Sequence, residues 1–205
     1  MIKKACVVES VRVETKSQSS TSSDCSPSEK LANDWTNLYA QSQACLNFKL
    51  RPKTPNMDFF EYDVFVFHAD LTELNTDGLV NATNANLHPG YDGDGIARRI
   101  REKAGKQLVD ACKRILKQDR NSLNLNDSEC VLTKAYGKLK AKYVLHTCCP
   151  TWAKYVANGN ETNNLESKFE TVLEQTFANV IKLAHDPKLS LNSIAFAMAS
   201  NSLGW

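Results

Sequence analysis

The densest chemistry in this chain lies between Asn81 and Ile100, in the run NATNANLHPGYDGDGIARRI. Two asparagines, Asn81 and Asn84, close an apolar stretch. Three glycines follow, Gly90, Gly93 and Gly95, and then a helical rhythm starts. An amide side chain both donates and accepts hydrogen bonds, as a sugar hydroxyl requires. A glycine loop lets main chain approach a ligand closely. A helix start offers unpaired N–H groups and a positive dipole end, which suit a phosphate. Alone, such a loop is more often a plain tight turn than a ligand loop. Gly-Lys-Ser/Thr is missing, so this is no P-loop, and the third glycine of Gly-x-Gly-x-x-Gly is missing too, so it is no dinucleotide fingerprint.

The elements around this loop read as alternating strands and helices. The run YDVFVFHADL contains Val64 to Phe67 in sequence, a buried strand. GLVNATNA begins a second strand. After the glycine loop, Ile96, Ile100, Ala104, Leu108, Ala111 and Ile115 keep a period of three to four, which predicts one long helix. Asp92 and Asp94 precede it, where a helix start favours carboxylates. ECVLTKAYGKL predicts a short strand and turn, and KYVLHTCCP a strong strand ended by Pro150. A second helix is predicted from about Leu165 to Ala184, and SIAFAMA is a last strand. Ligands of such α/β sheets bind at the carboxyl ends of strands. His146 sits on an apolar strand and reads as a core histidine.

The amino-terminal part looks different. Residues 14–30 are dense in Ser, Thr and charge, a composition that cannot bury enough apolar surface to order itself. Leu31, Trp35, Leu38, Tyr39 and Leu46 fall at helical spacing. Residues 1–57 therefore read as a mostly disordered tail carrying a helix over 31–46, and 58–205 as the folded domain.

Composition narrows the class. In 205 residues, 42% are hydrophobic and the net charge is +2, so nothing favours a nucleic-acid partner over a small ligand. The cysteines number seven, with no Cys-x-x-Cys, which speaks against a disulfide framework or zinc site. No metal or cofactor is expected. The apolar run after Lys3 and Lys4 is too short for a signal peptide, and no run reaches the roughly 18 residues of a membrane helix. The expected address is the cytoplasm or nucleus.

Several collinear motifs resemble the macrodomain family. Ala69-Asp70-Leu71-Thr72 is similar to its Gly-Asp-Ile-Thr, Val80 to Asn84 to Val-Asn-Ala-Ala-Asn, and Gly93-Asp94-Gly95-Ile96 to its glycine loop. Ala104-Gly105, Thr133 to Tyr136 and Lys142 to Thr147 resemble further motifs, and the order holds over residues 64–205. The resemblance implies a three-layer α/β/α mixed sheet that binds ADP-ribose or ADP-ribosylated protein. It gives Asp70, with Leu71 beside it, the adenine and Asn84 the distal ribose. Asn81 braces the loop. Backbone amides of Gly93, Gly95 and Ile96 hold the diphosphate, and Ser200, Asn201, Ser202, Leu203, Gly204 and Trp205 correspond to a second phosphate loop. Asp94, with Asn84, would orient an attacking water if the protein is a hydrolase of ADP-ribosyl esters.

The pattern also departs from the family. Hydrolytic members carry an aspartate where Ala97 stands, and the second loop lacks its first glycine. The family continues past the position of Trp205 with a helix, a strand and a helix, and that strand lies inside the sheet. The expectation is a domain incomplete at its C-terminus, with two unpaired strand edges. A non-binding remnant is the third functional reading.

Overall fold

The computed structural model describes residues 4–9, 46–50, 62–87, 95–119, 124–150, 164–189 and 191–197. The strands are β1 (Lys4–Glu9), β2 (Leu46–Leu50), β3 (Tyr62–His68), β4 (Gly78–Thr83), β5 (Cys130–Lys134), β6 (Tyr143–Cys148) and β7 (Ser193–Ala197). The helices are α1 (Ile96–Ala104), α2 (Lys106–Arg114) and α3 (Leu165–Ala184). Among the described residues the strands form one sheet of seven in the order β2-β3-β1-β7-β4-β6-β5. β4 pairs in parallel with β6 and β7, while β1 runs antiparallel to both β3 and β7. β3, β4, β6 and β7 thus share one direction, and their carboxyl ends meet at one edge of the sheet.

Neighbouring residues of the central strands enter two separate cores, as the period of two in a strand demands. Leu79, Val144 and Ala195 pack with Ile100 of α1 and Leu108 of α2. Val80, Leu145 and Ile194 pack with Val180 and Ala184 of α3. Helices therefore cover both faces, and the three-layer α/β/α mixed sheet stands.

Three expectations change. The single long helix is two, because Gly105 takes φ +73 and divides α1 from α2. That backbone suits glycine and interrupts the helical ladder, although the apolar period runs straight through it. The tail read over residues 1–57 contains β1 and β2; Leu46, taken as the last apolar position of a helix, opens β2. The rest of that predicted helix lies outside the described residues. Finally, the two strand edges expected to lie open are paired: β1 fills the place between β3 and β7.

At the amino end of β4, Asp77 is buried and ties the strand to β7. Its Oδ2 accepts from the amides of Asn192 (2.7 Å) and Ser193 (3.1 Å), and Lys142 Nζ lies 2.6 Å from Oδ1. This clamp sits at the edge opposite the carboxyl ends. It leaves the other edge to bind a ligand.

Candidate functional site

Asp70 stands two residues beyond the end of β3 and caps the short 3-10 turn Leu71–Glu73. Its Oδ1 accepts from the Thr72 amide (3.0 Å) and the Thr72 hydroxyl (2.7 Å). Oδ2 faces Arg99 Nη1 at 3.6 Å and Lys103 Nζ at 3.9 Å, both on α1. Partial burial works to raise the Asp70 pKa. The two Thr72 bonds and the charges of Lys103 and Arg99 outweigh it and hold the carboxyl below its ordinary range. The side chain is a permanent anion with one oxygen committed to the turn and the other turned toward α1. Lys103 also pairs with Glu73, which Lys140 Nζ reaches at 3.1 Å.

Asn84 follows β4 directly, exposed in a turn where its carbonyl accepts from the Leu87 amide at 3.1 Å. Asn81 faces inward instead. It is buried opposite His146, its register partner on β6, and its Nδ2 donates to His146 Nδ1 at 3.2 Å. The other ring nitrogen, left as the donor, meets the Thr133 hydroxyl at 2.9 Å. Burial lowers the His146 pKa to about 4, so the ring is neutral at pH 7. It is a core histidine with both nitrogens bonded, as its apolar strand predicts. Asn81 Oδ1 is buried without a hydrogen-bond partner among the described residues.

Gly95 is the N-cap of α1. Its φ of −67 and ψ of 159 are open to any residue, and among the described residues a Cβ placed there meets nothing within 4 Å. Neither backbone strain nor internal packing calls for glycine. After it, Ile96 opens the helix, whose first-turn amides point along the axis toward its start. The Ile96 side chain packs against the core. Leu71 is buried in the same core, so only its main chain can face a ligand. Gly93, Asp94 and Ser200 to Trp205 lie outside the described residues, although β7 runs to Ala197, just before the latter.

Asp70, Asn84 and Gly95 therefore gather along the carboxyl-end edge, on the α1 side of the sheet. Asp70 and Asn84 follow strands three places apart, with β1 and β7 between, a width of about 14 Å at the usual strand spacing. Sequence reading missed Arg99 and Lys103. Their signal is the i, i+4 spacing of two cations on α1, which places both toward Asp70. Among the described residues no cluster of three or more His, Cys, Asp or Glu could hold a metal, and no helix is long and apolar enough to cross a membrane.

The fold and this edge define an α/β domain with an anion-suited helix start beside a fixed carboxylate. The Macro domain family model matches residues 80–201. The chain is 33% identical over 138 residues to an O-acetyl-ADP-ribose deacetylase of Citrobacter koseri, covering 65% of this chain and 70% of that protein. It is 36% identical to an O-acetyl-ADP-ribose deacetylase of Salmonella typhimurium, covering 67% of this chain and 66% of that protein. A solved mutant macrodomain of Oceanobacillus iheyensis with ADPR aligns at 29% identity and TM-score 0.48, covering 60% of this chain and 58% of that one. The chain thus spans about two thirds of the curated relatives it matches. It belongs to the Macro domain family.

Proposed function

We propose that this protein binds ADP-ribose, free or attached to protein, in the crevice lined by Asp70, Asn84 and the start of α1. The observation that carries the reading is the gathering of these three features on one edge of the sheet. Asp70 Oδ2 accepts from the adenine amino group. The main-chain amides at the start of α1 hold the diphosphate, and Asn84 bonds the distal ribose. As the family resemblance implies, the backbone of Gly93 and residues 200–205 add to the phosphate grip. The free thiols among the described residues suit a reducing compartment, the cytoplasm or nucleus. Calorimetric titration with ADP-ribose tests the reading on folded protein. Saturable one-to-one binding that Asp70→Ala weakens at least about tenfold supports it. A folded sample that gives no binding heat overturns it.

Ester hydrolysis is the second reading, favoured by the deacetylase names of the similar proteins. In it, Asp94 and Asn84 orient a water toward the ester on the distal ribose, and positioning supplies much of the rate. Turnover of O-acetyl-ADP-ribose by the wild type, lost in Asp94→Ala at unchanged affinity, supports this. Equal turnover by both removes Asp94 from the mechanism.

A further inference from the structure

β1 is an interior strand, with a ladder on each side. Six register pairs join it to β3, from Lys4↔His68 to Glu9↔Asp63. Five join it to β7, from Ala5↔Ala197 to Glu9↔Ser193. Its sequence suits an interior strand, since Ala5, Cys6, Val7 and Val8 form an unbroken apolar run with two β-branched residues. Because β1 is antiparallel to both neighbours, its Lys4 end lies at the edge where β3 and β7 deliver their carboxyl ends. Lys4 pairs with His68, two residues before Asp70, and Ala5 pairs with Ala197, the last residue of β7. The strand also sets a distance. With β1 in place, β3 and β7 stand two strand spacings apart, about 10 Å, instead of one.

We propose that Lys4–Glu9 is a spacer strand built into the ligand site, which fixes the separation of its two described walls, Asp70 after β3 and Asn84 after β4. It is supplied in cis. Residues 10–45 tether β1 to β2, and β2 is laddered to β3 from Leu46↔Val66 to Leu50↔Tyr62. Such a tether holds the strand at an effective concentration on the order of millimolar, so a second copy at micromolar concentration competes poorly. Losing β1 leaves β3 and β7 without a shared partner and the distance from Asp70 to Asn84 undefined.

The proposal rests on the ADP-ribose reading for its ligand but not for its geometry, and the full-length protein tests both. Val66 is the register partner of Cys6, and paired Cα atoms of antiparallel strands lie within the span of a disulfide. Mild oxidation of Val66→Cys joins residues 6 and 66 within one chain, read by mass spectrometry of the non-reduced digest. Val64→Cys, whose partner is Val8, leaves Cys6 unjoined to residue 64. No cross-link in Val66→Cys, a link between two chains, or an equal link in both variants overturns the placement. For the site, Val7→Pro removes a ladder donor from β1, with Val13→Pro as a control beyond the strand. Val7→Pro lowers the melting midpoint and weakens ADP-ribose binding at least about tenfold, and Val13→Pro changes neither. A folded Val7→Pro that binds as tightly as wild type overturns the spacer role. Should Val7→Pro not fold, the cross-linked Val66→Cys protein decides: affinity equal to or tighter than the reduced form supports the role, and loss of affinity on locking β1 in place overturns it. If the wild type itself binds no ADP-ribose while the intrachain cross-link forms, the ligand reading falls and the strand placement stands.

Discussion

At the scale of single residues, the site combines groups that serve the fold with groups that the fold does not need. Asp70 serves both purposes. Its Oδ1 holds the turn through Thr72, and Oδ2 faces two cations of α1. Replacing it therefore costs some stability as well as binding, as the loss of a cap does, about 1 kcal/mol. Gly95 is the cleaner probe. Its dihedrals suit alanine, and among the described residues an added Cβ meets nothing within 4 Å. Gly95→Ala should leave the protein within about 1 kcal/mol of wild type in urea unfolding, the difference between Gly and Ala at an N-cap. It should still weaken ADP-ribose binding about tenfold or more, because the methyl group stands where phosphate must approach the α1 amides. Equal affinity in titrations of both proteins would remove the start of α1 from the phosphate site.

At the scale of elements, another glycine shows the opposite logic. Gly137 has φ +63, and a Cβ there would lie 2.3 Å from the Lys103 carbonyl oxygen and 2.8 Å from that of Ala104. The loop after β5 presses on the end of α1, and the Lys138 amide donates to the Lys103 carbonyl at 2.8 Å. Gly137→Ala should cost on the order of 2–4 kcal/mol in chemical denaturation, combining an unfavourable φ with a backbone clash. A loss below about 1 kcal/mol would show that the loop yields instead. This contact between distant segments was not legible in the sequence, where Gly137 reads as an ordinary turn. Elements with strong local patterns were legible: Tyr143–Cys148 opens on the β-favouring run Tyr-Val-Leu and is followed by Pro150, and Leu165–Ala184 carries a clean helical period. The break at Gly105 was hidden because the apolar period crosses it unbroken. β1 was hidden for a different reason. A run of four apolar residues carries little local signal, and it becomes a strand only through partners at 62–68 and 193–197. For the site, residue types pointed to Asn84 and Gly95 and the family motifs to Asp70, whereas Arg99 and Lys103 gain meaning only once α1 packs beside the turn at Leu71–Glu73.

At the scale of the whole molecule, the two faces of the sheet differ in what they bury. The α3 side is apolar around Val80, Leu145 and Ile194. The α1–α2 side also encloses His146, bonded to Asn81 and Thr133, with Cys112 Sγ 3.9 Å from Nε2. Desolvation lowers the His146 pKa from 6.5 to about 4. Protonating Nδ1 would in addition turn a donor toward the Asn81 amide, itself a donor. The unfolded chain takes up this proton near pH 6.5, and the folded protein resists it until about pH 4. Above pH 6.5 the two states match and the group adds no pH dependence. Below it, the unfolded state binds more protons, so global stability falls as pH drops through that window, by about 1.4 kcal/mol per pH unit for one proton. His185, whose pKa partial burial also lowers, adds in the same direction. Urea unfolding at pH 7, 6 and 5 should therefore show a steepening loss in wild type. His146→Gln should begin less stable at pH 7, since a buried hydrogen-bonding group is disturbed, yet lose less between pH 6 and 5. Parallel curves for the two proteins would mean that His146 takes up its proton without unfolding, and that its face of the sheet admits water.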